Sequence, residues 1–466
     1  MSKARENCQH EALQLEPSDH AREVGYNRPT PDRRLAATTK SGRNPLAAKG
    51  IGAGAMEQLT EESASKLSNV FPGPLVLPDD ELGVDPKYPP QSFRSWLNEP
   101  IRKNRKPNKR RKTLYVANAP RITSDVSYMK KWLQPKLGNT SKPAIGKLEP
   151  PLPDDVIKYT SAFYHGFSVK AFPAQLQFVP WTEPKKSAEP DNGIQYVGLL
   201  AGNNCTRIRA RPSPDGIFGG QLNLEDLLDA AIEMVPKEAY SIILVVDHDM
   251  YEDEDDDFCC GRAYGGNRVS VVSTARYHPG LDAHAGIDLA HMWPASHCKS
   301  YVENINMEDD FQVHPRANDE GALSGPLWAA MEAVRVTKDP QTLEDRKGLW
   351  FSRIARTVVH ELGHCLGLDH CVYYACVMQG SSRIAEDVRQ PPYLCPVCLS
   401  KVSWAVACEL EGKDEHGKEE YVKERYRTLL EFCGSWKHVG MFAGYEAWLH
   451  ARLKDLDKKD GEKVES

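Results

Sequence analysis

The chain has 466 residues, with 59 Lys and Arg against 65 Asp and Glu and a net charge of −6. That length allows one large domain with extensions or two ordinary ones, and the charge balance supplies no overall attraction to nucleic acid. No apolar run approaches the roughly 20 residues needed to cross a bilayer, and Met1 to Pro17 is too polar for a secretory signal, so the expected setting is cytoplasmic, nuclear or both, with no membrane partner.

From Met1 to Lys112, Pro, Gly and charged residues occur without sustained periodicity, and too little apolar surface is present to offset the entropy of ordering; residues 1–112 are expected to be largely disordered. This extension ends in Ile101 to Lys112, where eight of twelve residues are Lys or Arg. Such a run is either a solvated linker or a tail for a polyanion or an import receptor. Few aromatic residues interleave with it, so nucleic acid is not the expected partner.

Order is expected from Thr113, with a β-rich part over 113–189 containing strands at Leu114–Ala117 and Gln175–Val179, and a further strand at Gln195–Leu200. Apolar residues at helical spacing after Asn223 predict a capped amphipathic helix over Asn223–Val235. Ser241 to Val246 has no polar face and suits a strand covered on both sides. The acidic loop Glu252–Asp257 follows, then Arg268–Thr274, read as a strand at a sheet edge. Residues 278–345 look like an insertion whose one strong pattern is a short helix at Leu327–Val336. Leu349 to Leu366 is the clearest helix, and helices recur at Glu419–Phe432 and Tyr445–Leu456 within a C-terminal extension, 411–466.

The chemistry concentrates in His360-Glu361-Leu362-Gly363-His364. Positions four apart share a helix face, so two imidazoles reach one ion while Glu361, rotated by about a quarter turn, stands beside it as a base. Gly367 can take the left-handed conformation that ends a helix and returns the chain, bringing His370 back as a third donor. Three neutral imidazoles hold zinc and leave one position open, the arrangement of a catalytic site. A bare His-Glu-x-x-His pattern is weak evidence; the same pattern with its turn glycine and third histidine is strong.

Twelve cysteines in a reducing setting argue for thiols held by metal. Cys371, Cys376, Cys395 and Cys398 form two pairs, a four-thiolate set that would fill the coordination of a second, structural zinc and fix the chain just behind His370. Met378 lies between the pairs. Cys365 is expected to be packing, and His284, His291 and His297 to be surface or satisfied histidines.

These residues resemble the signature of the archaemetzincins, a metzincin family of zinc metallopeptidases, in which His-Glu-x-x-His-x-x-Gly-x-x-His runs directly into Cys-x4-Cys-x-Met and a later Cys-x-x-Cys. Sixteen residues separate Met378 from Cys395, one fewer than the family pattern. The resemblance covers about 190–410, with Phe258-Cys259-Cys260-Gly261-Arg262-Ala263 as its upstream part. It implies an α/β metzincin-like domain with a twisted mixed sheet, an active-site helix and an edge strand, Arg268–Thr274, that holds an extended peptide. The function implied is hydrolysis of peptide bonds by a zinc-bound water that Glu361 deprotonates, with a peptide or protein as substrate. The alternative is a catalytically idle zinc protein that binds peptides or scaffolds a complex; it would keep the ligands and have no need of Glu361.

Overall fold

The computed structural model describes residues 10–49, 52–137, 148–181, 195–308, 323–337 and 340–465. The first nine residues of the N-terminal extension and residues 309–322 and 338–339 of the expected insertion lie outside them. The chain is α/β and divides into two compact units: a sheet unit of residues 107–284 and 340–367, and a helical unit of residues 1–106, 285–339 and 368–466.

The sheet unit contains β1 (Thr113–Ala117), β2 (Arg121–Ile122), β3 (Ser168–Ala171), β4 (Leu176–Pro180), β5 (Gln195–Ala201), β6 (Asn204–Arg211), β7 (Gln221–Asn223), β8 (Ala239–Val246), β9 (Asp249–Tyr251), β10 (Gly261–Tyr264) and β11 (Val269–Ser273). Five of them form a mixed sheet in the order β10-β11-β8-β1-β3, parallel throughout except for the antiparallel pairing of β10 on β11. The other six form a second mixed sheet, β2-β4-β5-β6-β7-β9. Every residue of β8 is buried, as its unbroken apolar run predicts for a central parallel strand. The helix Leu224–Met234 begins at the expected cap, with Asn223 Oδ1 accepting from the Asp226 amide at 3.1 Å.

One strand lies elsewhere than expected. Arg268–Thr274 corresponds to β11, which has neighbours on both sides, and the sheet ends at β10. β11 carries the β-branched run and is fully buried, whereas β10 reads Gly-Arg-Ala-Tyr and is half-buried, a composition that gives little strand signal by itself.

The longest helix of this unit, Leu343–Cys365, starts six residues ahead of the expected Leu349. Its start is a capping box: Thr342 Oγ1 accepts from the Asp345 amide at 3.1 Å and Asp345 Oδ2 from the Thr342 amide at 2.9 Å. From Gly348 the helix is almost wholly buried, and several polar groups on and around it are paired. Trp350 Nε1 donates to the Thr274 carbonyl at 2.8 Å, Arg353 Nη1 to Asp282 Oδ1 at 2.6 Å, and the Tyr240 hydroxyl to the Cys365 carbonyl at 3.2 Å. These bonds satisfy groups whose burial would otherwise cost about 1–3 kcal/mol each.

In the helical unit, residues 10–49 and 52–112, for which composition predicts mostly disorder, carry helices at Asp19–Glu23, Pro31–Ala36, Ala53–Ser68, Glu81–Val84, Phe93–Asn98 and Pro100–Lys103. The physical reason for the difference is that many of their apolar residues are buried against distant segments, which leaves no local periodicity. Leu13, Leu75 and Leu77 pack with Val302, Leu327 and Met331. Phe71 meets the rings of Tyr393 and Trp448 edge-on at 5.4 and 5.5 Å, and Trp448 Nε1 donates to the Val70 carbonyl at 3.1 Å. Within the basic run, Arg102 is buried over the Trp96 ring at 3.7 Å and paired with Glu409.

The other expected helices of this unit appear as Pro326–Arg335, Glu415–Gly434 and Gly440–Glu465. Among the described residues no helix is long and apolar enough to cross a membrane.

Candidate metal centre

The buried helix Leu343–Cys365 carries the first two predicted donors on one face, four residues apart. His360 Nε2 and His364 Nε2 are 3.0 Å apart, with ring planes at 78°. Leu366 and Gly367 close the helix by donating to the carbonyls of Leu362 and His364, and Gly367 adopts φ 81°, the left-handed turn its position predicts. Within the segment 360–370, ligand nitrogens of His360, His364 and His370 all lie within 4.8 Å of one another.

Glu361 is 6 % exposed. β10 passes close over it: a Cβ built on Gly261 would stand 3.2 Å from Glu361 Oε1, so the missing side chain is what lets the outer strand approach the carboxylate. Cys365, on another face of the same helix, is a buried thiol that burial pushes up to about 12, an inert packing residue as expected.

His370 is held by residues that sequence reading missed. Its Nδ1 lies 2.9 Å from Glu81 Oε1, and the Tyr88 ring is tilted against it at 5.6 Å. Both partners come from a segment expected to be disordered, nearly 300 residues away in the chain, and no motif there signals them.

The four predicted cysteines come together immediately behind His370. Their sulfurs are buried and lie within 4.8 Å of one another, with Cys371 Sγ and Cys395 Sγ 3.5 Å apart. Hydrogen bonds from Cys376, Cys395 and Cys398 hold the Cys371 thiol well below its usual range, while burial pushes Cys376 and Cys395 well above theirs. Backbone amides of Met378 and Cys395 point at Cys376 Sγ, at 3.5 and 3.3 Å, a donor pattern that stabilises a thiolate. The loop within the first pair is fastened from the N-terminal segments: the Tyr26 hydroxyl donates to the Val372 carbonyl at 2.6 Å, and Arg28 Nε to the Tyr373 carbonyl at 3.1 Å. Met378, just beyond Cys376, is fully buried, and its carbonyl accepts from the Cys371 amide at 2.7 Å.

Among the described residues these are the two groups of three or more His, Cys, Asp or Glu that bring ligand atoms together. His284, His291 and His297 of the expected insertion are otherwise engaged or exposed. His291 Nδ1 lies 2.8 Å from Asp288 and the ring stacks on Tyr301 at 4.0 Å, His297 Nδ1 lies 3.0 Å from the Gln14 carbonyl, and His284 faces solvent. The acidic loop spends its polar groups on its own turn, Asp253 Oδ1 accepting from the amides of Asp255 and Asp256, and Glu252 pairs with Arg262 at 2.5 Å.

Residues 329–404 match the profile of Peptidase family M54. Archaemetzincin-2 of Homo sapiens is 24 % identical over 384 residues, which cover 81 % of this chain and 78 % of the human protein. Archaemetzincin-2 of Mus musculus is 39 % identical over 80 residues, 17 % of this chain and 19 % of the mouse protein. Among solved structures, the archaemetzincin of Methanopyrus kandleri aligns with a TM-score of 0.31 at 17 % identity, covering 64 % of this chain and 97 % of that one. The matched profile takes in all three histidines, Glu361 and the four cysteines, so the segment that carries both ligand sets is similar to Peptidase family M54.

Proposed function

We propose that the chain is a zinc-dependent peptidase in which His360, His364 and His370 hold a catalytic ion, Glu361 is the general base, and Cys371, Cys376, Cys395 and Cys398 hold a second, structural ion. The observation that carries the reading is the convergence of three imidazoles within 4.8 Å beside a buried glutamate. The donor chemistry fits the metal: three neutral nitrogens satisfy zinc and leave a position for chemistry, whereas four thiolates close its coordination.

Bound zinc would supply a Lewis acid that polarises the scissile carbonyl and acidifies water. The remaining work belongs to side chains. Glu361, held on a rigid buried helix, takes a proton from the attacking water and returns it to the departing amine. Burial beneath β10 keeps bulk water from competing for that carboxylate. An extended peptide pairs with the outer edge of β10, the position that the resemblance alone had given to Arg268–Thr274, and its backbone then runs past Glu361.

The test is Glu361→Gln in metal-loaded protein, assayed on a peptide library beside wild type. Zinc content should stay the same, and turnover should fall roughly 10³-fold, within the range for removal of a general base. A loaded variant that cleaves at the wild-type rate would remove Glu361 from the mechanism.

A further inference from the structure

A carboxylate stands behind the His370 ring, with Glu81 Oε1 2.9 Å from Nδ1. Resting on the metal reading above, we infer that Glu81 is the positioning residue of the third zinc ligand: its carboxylate accepts the Nδ1 proton of His370 and commits Nε2 of that ring to the ion. A neutral imidazole has one N–H and one lone pair, so engaging Nδ1–H leaves the lone pair at Nε2. His360 and His364 already face each other through Nε2, and Glu81 makes the third donor the same kind of nitrogen. A carboxylate behind a ligand histidine also fixes the ring plane and raises the basicity of the ligating nitrogen.

The carboxylate is itself held in place, which separates it from a chance surface pair. Three consecutive residues are tied to the segment 383–389: Asp79 pairs with Arg383 at 2.6 Å, Asp80 with Arg389, and the Glu81 amide donates to Glu386 Oε2 at 2.9 Å. Asp80 Oδ2 also accepts from the Leu77 amide at 2.8 Å and braces the approach to Glu81. Opposite the carboxylate stands Gly380, where any side chain would run into Glu81 Oε1. The two partners are only 28 % and 27 % exposed, so solvent screens their bond less than it would screen an open ion pair.

The experiment uses full-length protein with Glu81→Ala and Glu81→Gln, reading zinc affinity by chelator competition and the His370 tautomer by ¹⁵N NMR. Glu81→Ala should weaken one zinc roughly 10- to 100-fold, leave the cysteine-held zinc and the melting temperature in place, and turn the single Nδ1–H tautomer into a mixture. Glu81→Gln, which still accepts through its amide oxygen, should restore the tautomer and recover part of the affinity. Wild-type affinity and tautomer in Glu81→Ala would overturn the inference; if that variant does not fold, the same result in Glu81→Met, which fills the space and cannot accept the proton, would do so. His364→Ala is the separate control. Should it leave zinc content unchanged, the histidine metal site itself is absent, whatever Glu81 does.

Discussion

The sheet unit and the helical unit reach order by different routes. In the sheet unit, contiguous runs do the burying: Ile242, Leu244 and Val246 of β8 and Val269 and Val271 of β11 enter one core, each strand delivering several apolar residues at once. In the helical unit the core is assembled from single residues of remote segments, Leu13 and Leu75 beside Val302 and Leu327, and four cysteines bring 371–376 and 395–398 together. The first kind of order rests on hydrophobic burial within ladders; the second, on the proposed reading, gains a cross-link from metal held by the four cysteines.

Removing that cross-link is the strongest way to break the comparison. Cys376→Ser should release about one zinc per chain and cost on the order of 10 kcal/mol of folding free energy in the helical unit. Hydrogen exchange should then rise across 368–466 while β8 stays protected; equal loss in both units would mean that the two do not differ in this way.

A smaller effect is expected inside the sheet unit, where Arg276 Nε donates to Asp249 Oδ1 at 2.8 Å and the two side chains are 3 % and 0 % exposed. Asp249→Ala leaves a buried guanidinium without its main partner and should cost about 3–5 kcal/mol in urea denaturation. A loss below about 1 kcal/mol would show that the unit does not depend on this pair.

The mildest test is acid. Burial lowers His248 of the sheet unit and His297 of the helical unit to about 4 from the ordinary 6.5. Between those values the unfolded chain binds more protons than the folded one, so stability falls as pH drops from 6.5 towards 4, by up to about 1.4 kcal/mol per pH unit for each ring. His248→Phe should reduce that slope for the sheet unit, where His278 is also lowered to about 4, and leave the helical unit's slope in place, as read from urea midpoints between pH 7 and 4.5.

The same contrast explains what could be read from the chain alone. β8, the Asn223-capped helix and the helix bearing His360 and His364 each announce themselves within a window of about a dozen residues, through an apolar run, a cap or a repeat. The three histidines, Glu361 and the four cysteines are legible for the same reason, since their spacing is itself the signal. Glu81 is not, because nothing near it in sequence foretells that the segment 77–84 is tied to 380–389. β10 was missed because an outer strand built from Gly, Arg, Ala and Tyr lacks the residues that mark a strand. Burial made by partners hundreds of positions away leaves no local periodicity, and residues 10–112 lost their helices to that rule.

Trp448 donating to the carbonyl of Val70 has a consequence for biosynthesis. A ribosome releases the chain in order, and the floor on which Phe71 rests arrives only after some 370 further residues have emerged, roughly half a minute at bacterial elongation rates. Tyr26, Arg28 and Glu81 wait in the same way for Val372, Tyr373 and His370. On the proposed reading, a hydrolase assembled this way stays inert beside the other nascent polypeptides around it until the helix that bears Trp448 has emerged.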